Sequence, residues 1–447
     1  MQRFILPLAL LGLVGLVACS QAQNNDASPR TEAAPGSLLT GKAAFGDWSS
    51  DVPGTRRKIT PADLPPPNDT PSVDNGPRIS GQPEGAWPKV PAGFTVDRVA
   101  DQLWGVRTVK TAPNGDIFAV DSNQGRVLII RDANNDGKPE FIQTFARGLV
   151  KPFGLAFYPN GKNPKYIYVG NTDSVVRFPY QSGDTVASGP SEMIVDNIPG
   201  GGRLRGGGHW TRAVAFSNDN KTMFVSVGSI SNVDDPDINK LENRRANVLA
   251  YTPDGKNERI YASGIRNAVG LAVQPGTSTL FCSVNERDGL GDMLVPDYIS
   301  SVKEGGFYGW PYYYMGSNQD PRHAGKKPEL KDKVIVPDVL LQSHSASLDL
   351  AFSTGNNFPA DWRGGIFASE HGSWNRQRRT GYKVVYAPVD KKGKLTGEYV
   401  DFMTGFVKND SEVWGRPVGV TVAKDGSLLV FDDGSASLWR VRYTGGK

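Results

Sequence analysis

The sequence of 447 residues has only two cysteines and four histidines. Cys19 lies near the N-terminus, so the one internal cysteine, Cys282, has no partner for an intradomain disulfide. Cys282 stands in the apolar run T-L-F-C-S-V, which predicts a small buried side chain. The sequence has no C-x-x-C-H motif, which excludes covalently attached c-type haem. If this chain moves electrons, they must leave to a separate acceptor.

The sequence also lacks an excess of one charge. Its 50 lysines and arginines nearly balance its 46 aspartates and glutamates, which gives a formal net charge of +4. Recognition of a nucleic acid requires a clustered basic face, which this balance does not indicate. We therefore predict no nucleic-acid partner.

Long apolar runs are missing except at the N-terminus. Arg3 precedes an apolar stretch that ends in L-V-A-C at residues 16–19, which resembles a bacterial lipobox. Residues 4–19 are too few to span a membrane comfortably as a helix. We expect residues 1–18 to be a signal peptide and the mature chain to be lipid-anchored to a membrane through Cys19. A plain secretory signal is the alternative. Ser20 favours the outer membrane of a Gram-negative bacterium, and thus the periplasm.

Proline, glycine and small polar residues dominate residues 19–91, without a sustained apolar period. This composition predicts an extended tether that separates the lipid from a folded domain. Part of the tether is expected to pack on the domain, because Trp48 and Trp87 are poorly suited to full exposure. The folded domain is predicted for residues 92–447.

One strand–turn–strand motif recurs six times in the rest of the chain. Each copy has an alternating apolar run, a turn rich in Pro, Asp, Asn and Gly, and a second apolar run. The copies cover residues 107–130, 153–180, 212–233, 269–288, 348–376 and 418–443. Six such units, at about four strands each, predict an all-β fold, a six-bladed β-propeller. In such a fold, functional residues lie on loops around one channel.

Two regions do not belong to the six copies. Residues 94–100 alternate like a strand but precede the first full copy, so we predict that they complete the last blade, which ends at Tyr443. A long insertion, residues 297–347, carries the aromatic run F-Y-G-W-P-Y-Y-Y at 307–314. Core packing is the default interpretation of this run, and a pocket rim is the alternative.

Polar residues stand next to the inner strands of several copies. His209, within G-G-G-H-W-T-R, is of the type that transfers protons near neutral pH. Arg266 and Asn267 enter the fourth copy, where a guanidinium and an amide can hold a planar ligand with carboxylates. Arg376 follows the fifth copy and Arg416 precedes the sixth. This recurrence favours one shared anionic ligand, with a structural histidine and inter-blade salt bridges as the alternative.

Six motifs also carry a family resemblance. They are G-H (208–209), G-I-R-N (264–267), N-E-R-D (285–288), G-G-F-Y-G-W-P (305–311), H-G-S-W-N-R (371–376) and G-R-P-V-G-V (415–420). Together they resemble the soluble sugar dehydrogenases that depend on pyrroloquinoline quinone (PQQ), and are most similar to the branch that includes L-sorbosone dehydrogenase. The resemblance spans roughly residues 93–443. It implies a six-bladed propeller, in agreement with the repeat.

The resemblance implies an oxidoreductase that acts on an aldose, a ketoaldose such as sorbosone, or a related aldehyde. It implies that His209 is the general base, which takes the proton of the anomeric hydroxyl while hydride passes to the quinone. Arg266 is implied to stabilise the charge that develops on the quinone oxygen. The electrons then pass to an external acceptor, a quinone or a cytochrome.

The resemblance also implies how PQQ and calcium are held. Asn267 and Arg416 match residues that bind the quinone, and Arg376 is the nearest match for a lysine that contacts it. A calcium ion bound with the quinone is implied to polarise it as a Lewis acid. Its protein ligands align with the backbone carbonyls of Glu286 and Arg287.

The chain departs from the glucose-oxidising members of the family at several positions. Gly208 stands where they carry Asp, and Glu286 and Arg287 stand where they carry Gly-Pro. Trp414 lies near the place of an expected second arginine. These differences argue against glucose as the substrate.

Two other functions are compatible with a six-bladed propeller. A calcium-dependent lactonase would need side chains that converge on one metal, drawn from Glu286, Asn267 and Asn171. A binding protein that has the fold without the chemistry is the second alternative. One further motif, D-A-N-N-D-G at 132–137, begins like an EF-hand calcium loop, but Gln143 replaces the glutamate at its twelfth position. We predict a turn between strands there.

Overall fold

The computed structural model describes residues 36–200 and 208–445. The predicted signal peptide and Cys19 lie outside these residues, so the lipid anchor stays a prediction. Within the described ranges, no helix is both long and apolar enough to span a bilayer. The regular structure there consists of short strands and seven brief 3₁₀ helices.

The strands are, in chain order, β1 (Leu38–Leu39), β2 (Arg56–Arg57), β3 (Arg78–Ile79), β4 (Phe94–Ala100), β5 (Val106–Thr111), β6 (Ile117–Asp121), β7 (Arg126–Arg131), β8 (Phe141–Arg147), β9 (Gly154–Tyr158), β10 (Tyr166–Gly170), β11 (Val175–Pro179), β12 (Glu192–Val195), β13 (Val214–Phe216), β14 (Met223–Val227), β15 (Asn247–Tyr251), β16 (Arg259–Ser263), β17 (Ala268–Val273), β18 (Leu280–Val284), β19 (Pro296–Val302), β20 (Gly306–Phe307), β21 (Tyr313–Tyr314), β22 (Asn318–Gln319), β23 (Val339–Ser343), β24 (Ser347–Phe352), β25 (Ile366–Glu370), β26 (Lys383–Ala387), β27 (Tyr399–Met403), β28 (Glu412–Val413), β29 (Pro417–Val422), β30 (Leu428–Asp432) and β31 (Ser437–Tyr443). The 3₁₀ helices cover Gly41–Phe45, Trp48–Ser50, Pro61–Asp63, Lys240–Glu242, Pro321–His323, Pro328–Lys333 and Ala360–Trp362.

Six blades of four antiparallel strands surround a central channel. They are β5–β8, β9–β12, β13–β16, β17–β19 with β23, β24–β27, and β29–β31 with β4. The first strand of each blade is innermost, and neighbouring inner strands contact each other around the ring. The six-bladed β-propeller predicted from the repeat is confirmed.

The ring is closed by the two ends of the propeller domain. β4 pairs antiparallel with β31, so that Val96 lies opposite Val441 and Phe94 opposite Tyr443. The prediction that residues 94–100 complete the last blade is confirmed. With this pairing β31 has a partner on both sides, and β4 forms the outer edge of the sixth blade.

The described part of the predicted tether, residues 36–91, is packed on the propeller and is not extended. β1 and β2 continue the fifth blade beyond β27, and β3 pairs with β28. Ala44, Phe45 and Ile59 are buried in the same apolar cluster as the fourth blade. The composition of this segment suggested a tether because its apolar residues are few and separated by turns. Ala44, Phe45 and Ile59 are nevertheless buried against the domain.

The two tryptophans of this segment also contact the propeller. Trp48 donates a hydrogen bond from Nε1 to Asp410 Oδ1 at 2.7 Å. The ring of Trp87 meets the buried ring of Trp439 edge-on, with 5.1 Å between their centroids. The packing expected of Trp48 and Trp87 is therefore present.

A buried ion cluster holds the segment in place. Arg57 on β2 is fully buried, and its Nη2 lies 3.0 Å from Asp51 Oδ1 and 3.3 Å from Asp401 Oδ2. Lys383 on β26 approaches the same two carboxylates, at 2.8 Å and 2.7 Å. Two cations and two anions thus neutralise each other between the N-terminal segment and the fifth blade.

Three smaller predictions concern single features of the domain. The tyrosines and the tryptophan of the aromatic run at 307–314 are buried, which confirms core packing. Cys282 is buried on β18, as expected. Residues 132–137 lie in the connection between β7 and β8, and the Asp132 carboxylate is paired with Arg440 at 3.3 Å. The predicted turn is confirmed.

A carboxyl group is buried at the end of β25. Glu370 is 1 % exposed, and its Oε1 accepts a hydrogen bond from Ser347 Oγ at 3.0 Å. Burial raises the pKa of Glu370 to about 7, because a charged carboxylate is poorly solvated in the core. Its folded pKa is therefore higher than the value of a solvated glutamate. The contribution of Glu370 to stability is complete below the solvated pKa and is lost as the pH rises through 7.

We expect Glu370→Gln to become more stable relative to the parent protein as the pH rises. An amide does not ionise, so the variant escapes the cost of a buried negative charge. Between pH 5 and pH 8 the difference in unfolding free energy should shift in its favour by about 2–3 kcal/mol. Urea denaturation at both pH values measures this shift. Glu140→Gln is the control, since backbone N–H donors hold the pKa of Glu140 below its usual value and outside this window. Equal shifts in both variants would contradict the prediction.

Candidate functional site

One mouth of the channel collects polar residues from several blades. In an antiparallel blade, the start of the inner strand and the end of the second strand lie on the same face. His209, Asn267 and Arg416 precede the inner strands β13, β17 and β29. His371 and Asp433 follow the second strands β25 and β30. The topology therefore directs residues of four blades to one end of the ring.

Two cavities open at this mouth and share one wall. The inner cavity, of about 220 Å³, is lined by His209, Asn267 and Trp374 among others. The outer chamber, of about 670 Å³, extends past Trp104 towards the first and sixth blades. Both cavities are lined by Arg107, Trp210, His371 and Arg416. Because they share these four side chains, we treat them as two compartments of one site.

His209 is held as a neutral imidazole with one nitrogen available. Its Nδ1 lies 2.8 Å from the backbone carbonyl of Ser229, which can only accept, so Nδ1 carries the proton and donates it. The lone pair is therefore on Nε2. Burial and the nearby Arg266 lower the pKa of His209 to about 3. A neutral imidazole with a lone pair on Nε2 is in the protonation state that a general base requires.

Arg266 and Asn267 are adjacent in the chain but differ in their contacts. Arg266 Nη1 donates to the Glu286 carbonyl at 2.7 Å, and its Nη2 lies 3.5 Å from Asp288 Oδ2. Its guanidinium therefore packs behind the cavity wall, where burial lowers its pKa. Asn267 is 5 % exposed and lines the inner cavity, and its Oδ1 has no hydrogen-bond partner within the described residues. A buried amide oxygen without a partner is unusual and is satisfied when a ligand donates to it.

Internal hydrogen bonds engage the side chains of Glu286 and Arg287, the two residues predicted to hold calcium. The Glu286 carboxylate accepts from the Arg287 backbone N–H and Nε, at 2.9 Å and 2.8 Å, and the Glu286 carbonyl is bound by Arg266. Arg287 is fully buried and donates to the carbonyls of Pro311 and Tyr313. The Glu286 carbonyl thus already accepts from Arg266, whereas the contacts of Arg287 do not involve its carbonyl, so the assignment of the two carbonyls to calcium stays a prediction.

Arg376 is also placed away from the predicted cofactor. Its Nη2 donates to the carbonyls of Phe45 and Gly46, at 2.5 Å and 3.1 Å. These partners belong to the N-terminal segment, and Arg376 lines neither compartment. The assignment of Arg376 to cofactor binding is therefore corrected. This guanidinium fixes the N-terminal segment.

Arg416 belongs to a hydrogen-bonded network of charged and polar side chains, which the sequence motifs only partly indicated. Its Nη2 donates to His371 Nδ1 at 2.8 Å, so His371 carries its proton on Nε2 and donates it to Asp433 Oδ1 at 2.8 Å. Arg107 Nη1 reaches the other carboxylate oxygen of Asp433 at 2.5 Å. Its guanidinium lies 6.0 Å from the ring centroid of Trp210. Two guanidiniums thus flank one carboxylate along the shared wall.

The pKa values of His371 and Asp433 determine which groups of this network are charged. Burial, followed by the Arg416 guanidinium, lowers the pKa of His371 to about 3, so the imidazole is neutral. Burial alone would raise the pKa of Asp433, but His371 and Arg107 hold it well below its usual value. Two guanidiniums and one carboxylate leave an excess of positive charge at the wall. Such a wall favours an anionic ligand.

Arg107, His371 and Asp433 were not assigned as site residues from the sequence. His371 was noted only within H-G-S-W-N-R, and Arg107 only as the start of the first repeat. The signal that could have found them is positional, since each stands where an inner strand begins or a second strand ends at the same mouth.

The arrangement required for a lactonase is absent from the described residues. Asn171 accepts from the Val150 backbone N–H at 3.2 Å and donates to Ser174 Oγ at 3.1 Å, and it lines neither compartment. Within residues 36–200 and 208–445, no three His, Cys, Asp or Glu side chains are placed to hold a metal ion. The predicted convergence of Glu286, Asn267 and Asn171 does not occur.

The fold and the site define a six-bladed β-propeller with a histidine and an arginine-rich pocket at one mouth. The family model described as TrAA12-like matches residues 88–297 and 317–444. The chain belongs to this TrAA12-like family, and the resemblance to soluble PQQ-dependent sugar dehydrogenases is confirmed at that level.

Individual relatives are distant in sequence. An uncharacterized protein of Borreliella burgdorferi is 29 % identical over 365 residues, which cover 79 % of this chain and 90 % of that protein. A pyrroloquinoline quinone-dependent pyranose dehydrogenase of Coprinopsis cinerea is 23 % identical over 413 residues. The match covers 79 % of this chain but only 54 % of the fungal enzyme. This chain therefore spans about half the length of that relative.

Solved structures share the fold. The holo form of the pyranose dehydrogenase PQQ domain from Coprinopsis cinerea superposes with a TM-score of 0.64 at 21 % identity, covering 80 % of this chain and 97 % of that domain. A calcium structure of a Trichoderma reesei carbohydrate-active enzyme of family AA12 gives a TM-score of 0.67 at 18 % identity, with the same coverage. At these identities, the similarity shows the propeller fold alone.

Proposed function

We propose that this protein is a PQQ-dependent oxidoreductase that oxidises a sugar at its anomeric carbon. The observation that carries the proposal is the pairing of a neutral His209, with Nε2 available, and a guanidinium-rich wall in one small cavity. A base and an anion-binding wall are what this oxidation requires of a protein. The names of the fungal relatives support the same class of reaction.

The residues of the inner cavity fit PQQ, which is planar and carries three carboxylates. Asn267 Oδ1 is a buried acceptor without a partner, and it suits a ring N–H or a protonated group of such a ligand. Arg416 and Arg107 can bind carboxylates through their guanidiniums. Trp374 and Trp210 add flat apolar surfaces in the same cavity. PQQ, when bound, accepts the two electrons and the hydrogen that leave the sugar carbon.

The chain's own residues have three tasks in this scheme. His209 Nε2 takes the proton of the anomeric hydroxyl, and the hydrogen bond from Nδ1 to the Ser229 carbonyl keeps the ring in the required tautomer. Arg416 and Arg107 orient the anionic ligand, and Asp433 positions Arg107 directly and Arg416 through His371. Trp210 is largely buried and gives the shared wall an apolar surface that holds no water of its own.

Several finer points are proposals that rest on the sequence. We propose an aldose or ketoaldose substrate, such as sorbosone, with electrons passing to an external quinone or cytochrome. We also propose that the chain is exported to the periplasm and anchored through Cys19. Calcium, held by the carbonyls of Glu286 and Arg287, is part of the resemblance and stays a prediction, and no step of the scheme uses it.

Reconstitution tests the proposed function. The purified protein is mixed with PQQ, with and without calcium, and reduction of a dye acceptor is followed with a panel of aldoses, ketoaldoses and aldehydes. We expect reduction of the dye that depends on both PQQ and a sugar. If PQQ at micromolar concentration neither binds nor supports oxidation of any sugar or aldehyde, the proposal is wrong.

We expect Arg416→Met to weaken PQQ binding by about 10- to 100-fold, because a hydrogen bond to a charged group contributes about 1.5–3 kcal/mol. Titration of the apoprotein with PQQ, followed by absorbance, measures the affinity. Arg376→Met is the matched control. This variant removes a guanidinium of equal charge that contacts only the N-terminal segment, so its folded fraction should bind PQQ with the parent affinity. Greater loss in Arg376→Met than in Arg416→Met would restore the assignment made from the sequence.

A further inference from the structure

The loop that follows β25, here called the site loop (residues 371–380), is held at its base and at its tip by different parts of the chain. At the base, the His371 N–H donates to the carbonyl of Ala346, directly before β24, at 3.0 Å. Near the tip, Trp374 is 47 % exposed and lines the inner cavity. His371 is thus fixed next to the fifth blade, whereas the position of Trp374 depends on contacts made at the tip.

A short stretch of the N-terminal segment, here called the strap (residues 73–76), runs along this tip. The Asn75 N–H donates to the Trp374 carbonyl at 2.7 Å. The side-chain Nδ2 of Asn75 donates to the carbonyls of Arg376 and Gln377, at 3.3 Å and 2.9 Å. One asparagine of the strap therefore binds three main-chain carbonyls of the site loop.

Two side chains of the site loop also donate hydrogen bonds to the strap. Asn375 is 5 % exposed, and its Nδ2 donates to the Val73 carbonyl at 2.6 Å. Arg379 is fully buried, and its Nη1 donates to the Asn75 carbonyl at 2.9 Å. Because donors and acceptors run in both directions, the strap holds the tip on each side of Trp374 through its main chain.

The strap is itself anchored before and after residues 73–76. Before it, Ser72 Oγ accepts a hydrogen bond from the Gly291 N–H, in the connection after β18, at 3.1 Å. After it, β3 pairs with β28. The family match begins at residue 88, so these contacts are made by a part of the chain that lies outside that match.

We propose that the strap is a positioning element of the site, and that Asn75 is the residue that holds Trp374 at the inner cavity. This inference deepens the proposed function and rests on it for the identity of the ligand. A cavity wall that is ordered before binding spares the ligand the entropy cost of ordering it, so a freed tip should bind the same ligand more weakly. His209 lies before the third blade and does not contact the strap, so its chemistry should be unchanged.

Two variants serve as controls for Asn75→Ala. Asn160 is matched in geometry, because its Nδ2 donates to the carbonyls of Phe216 and Ser217 at 3.3 Å and 2.9 Å, yet it lines neither compartment. Arg376→Met removes a guanidinium that contacts carbonyls outside the strap, while the Arg376 carbonyl stays bound to Asn75. Neither Asn160→Ala nor Arg376→Met should free the main chain at Trp374.

Hydrogen exchange in the apoprotein, measured by mass spectrometry, tests whether the strap holds the loop. We expect Asn75→Ala to raise the exchange rate of residues 374–379 by about fivefold or more, while the base of the loop at His371 exchanges at the parent rate. Asn160→Ala should leave both rates unchanged. If residues 374–379 exchange at the parent rate in Asn75→Ala, the proposal is wrong, whether or not the protein binds PQQ.

Ligand binding tests the consequence for the site. In Asn75→Ala, the PQQ affinity measured by titration should fall by about five- to tenfold, the contribution of roughly one hydrogen bond, and in Asn160→Ala it should keep the parent value. At saturating PQQ and sugar, kcat of Asn75→Ala should stay within about twofold of the parent value.

The outcomes separate the strap from the reaction. Faster exchange at the tip combined with an unchanged PQQ affinity would show that the site does not need Trp374 to be positioned, and the proposal would be wrong while the proposed function stands. If the parent protein binds no PQQ, the proposed function fails, and the exchange rates of residues 374–379 alone decide whether the strap holds the site loop.

Discussion

We expect His209→Gln to lower kcat of the PQQ-loaded protein by about 10²–10⁴-fold, the usual contribution of a general base. Glutamine can reproduce the hydrogen bond to the Ser229 carbonyl but has no basic nitrogen to take the proton. PQQ affinity should change far less than kcat, since the guanidiniums on the shared wall are untouched. Steady-state kinetics with a dye acceptor, combined with PQQ titration, measure both quantities.

His323→Gln is the control for this variant. His323 is also buried and hydrogen-bonded to a backbone carbonyl, that of Val233 at 2.6 Å, but it lines neither compartment. Its substitution should leave kcat within about twofold of the parent value, a difference below roughly 0.5 kcal/mol. Equal losses of kcat in both variants would show that His209 acts through structure.

The pH dependence gives an independent signature of the same base. Since the pKa of His209 is lowered to about 3, the imidazole stays neutral until the pH falls far below the ordinary histidine range. We therefore expect kcat/KM to be flat on its acid side between pH 5 and pH 8. An acid limb with a midpoint near 6.5 would instead indicate a solvated histidine as the base.

We expect Arg57→Met to lower the free energy of unfolding by about 3–5 kcal/mol, as for other broken buried ion pairs. The substitution leaves Asp51 and Asp401 facing the single cation Lys383, with one buried negative charge uncompensated. The N-terminal segment loses its main polar attachment to the fifth blade. Urea denaturation measures the change in stability, and limited proteolysis shows whether this segment is released first.

The neighbouring residue supplies the control. Arg56 has the same charge and lies on the same strand, but its side chain is 44 % exposed and pairs with Glu398 at the surface. Arg56→Met should cost less than about 1 kcal/mol, because an exposed ion pair is weak. If the two variants lose the same stability, the buried cluster is not what fixes the segment.

The fold could be predicted because its signal is local and repeated. Each blade has a recognisable pattern of alternating apolar residues and a turn. The strand at residues 94–100 has half of this pattern, so it could be assigned to the last blade as the partner of its final strand. The N-terminal segment could not be predicted in this way. Phe45 and Ile59 are single apolar residues between turns, and only the propeller surface makes their burial favourable.

The site was predictable where position along a blade decided it. His209, Asn267 and Arg416 precede inner strands and were brought to one mouth, although their roles stay predictions. Arg376 has an equally suggestive motif, yet its partners are carbonyls of Phe45 and Gly46, more than 300 residues away in the chain.

The same limit applies to the residues predicted to bind calcium. The Glu286 carbonyl accepts a hydrogen bond from Arg266, and no motif reveals this contact. Motifs report which residue types are present, whereas the contacts made by distant segments decide whether those side chains are free.

The seam between β4 and β31 also bears on how the protein is made. β4 is synthesised before every blade, and its partner is the last strand of the chain. During synthesis, five blades are therefore complete while β4 still has no partner. An unpaired strand can pair with a strand of another chain, which leads to aggregation. Asp97 and Arg98 place charges on this strand, and such charges discourage wrong pairing until synthesis is complete. The ring stays open until β31 is available to pair with β4, so completion of β31 is the step that commits the propeller to its closed form.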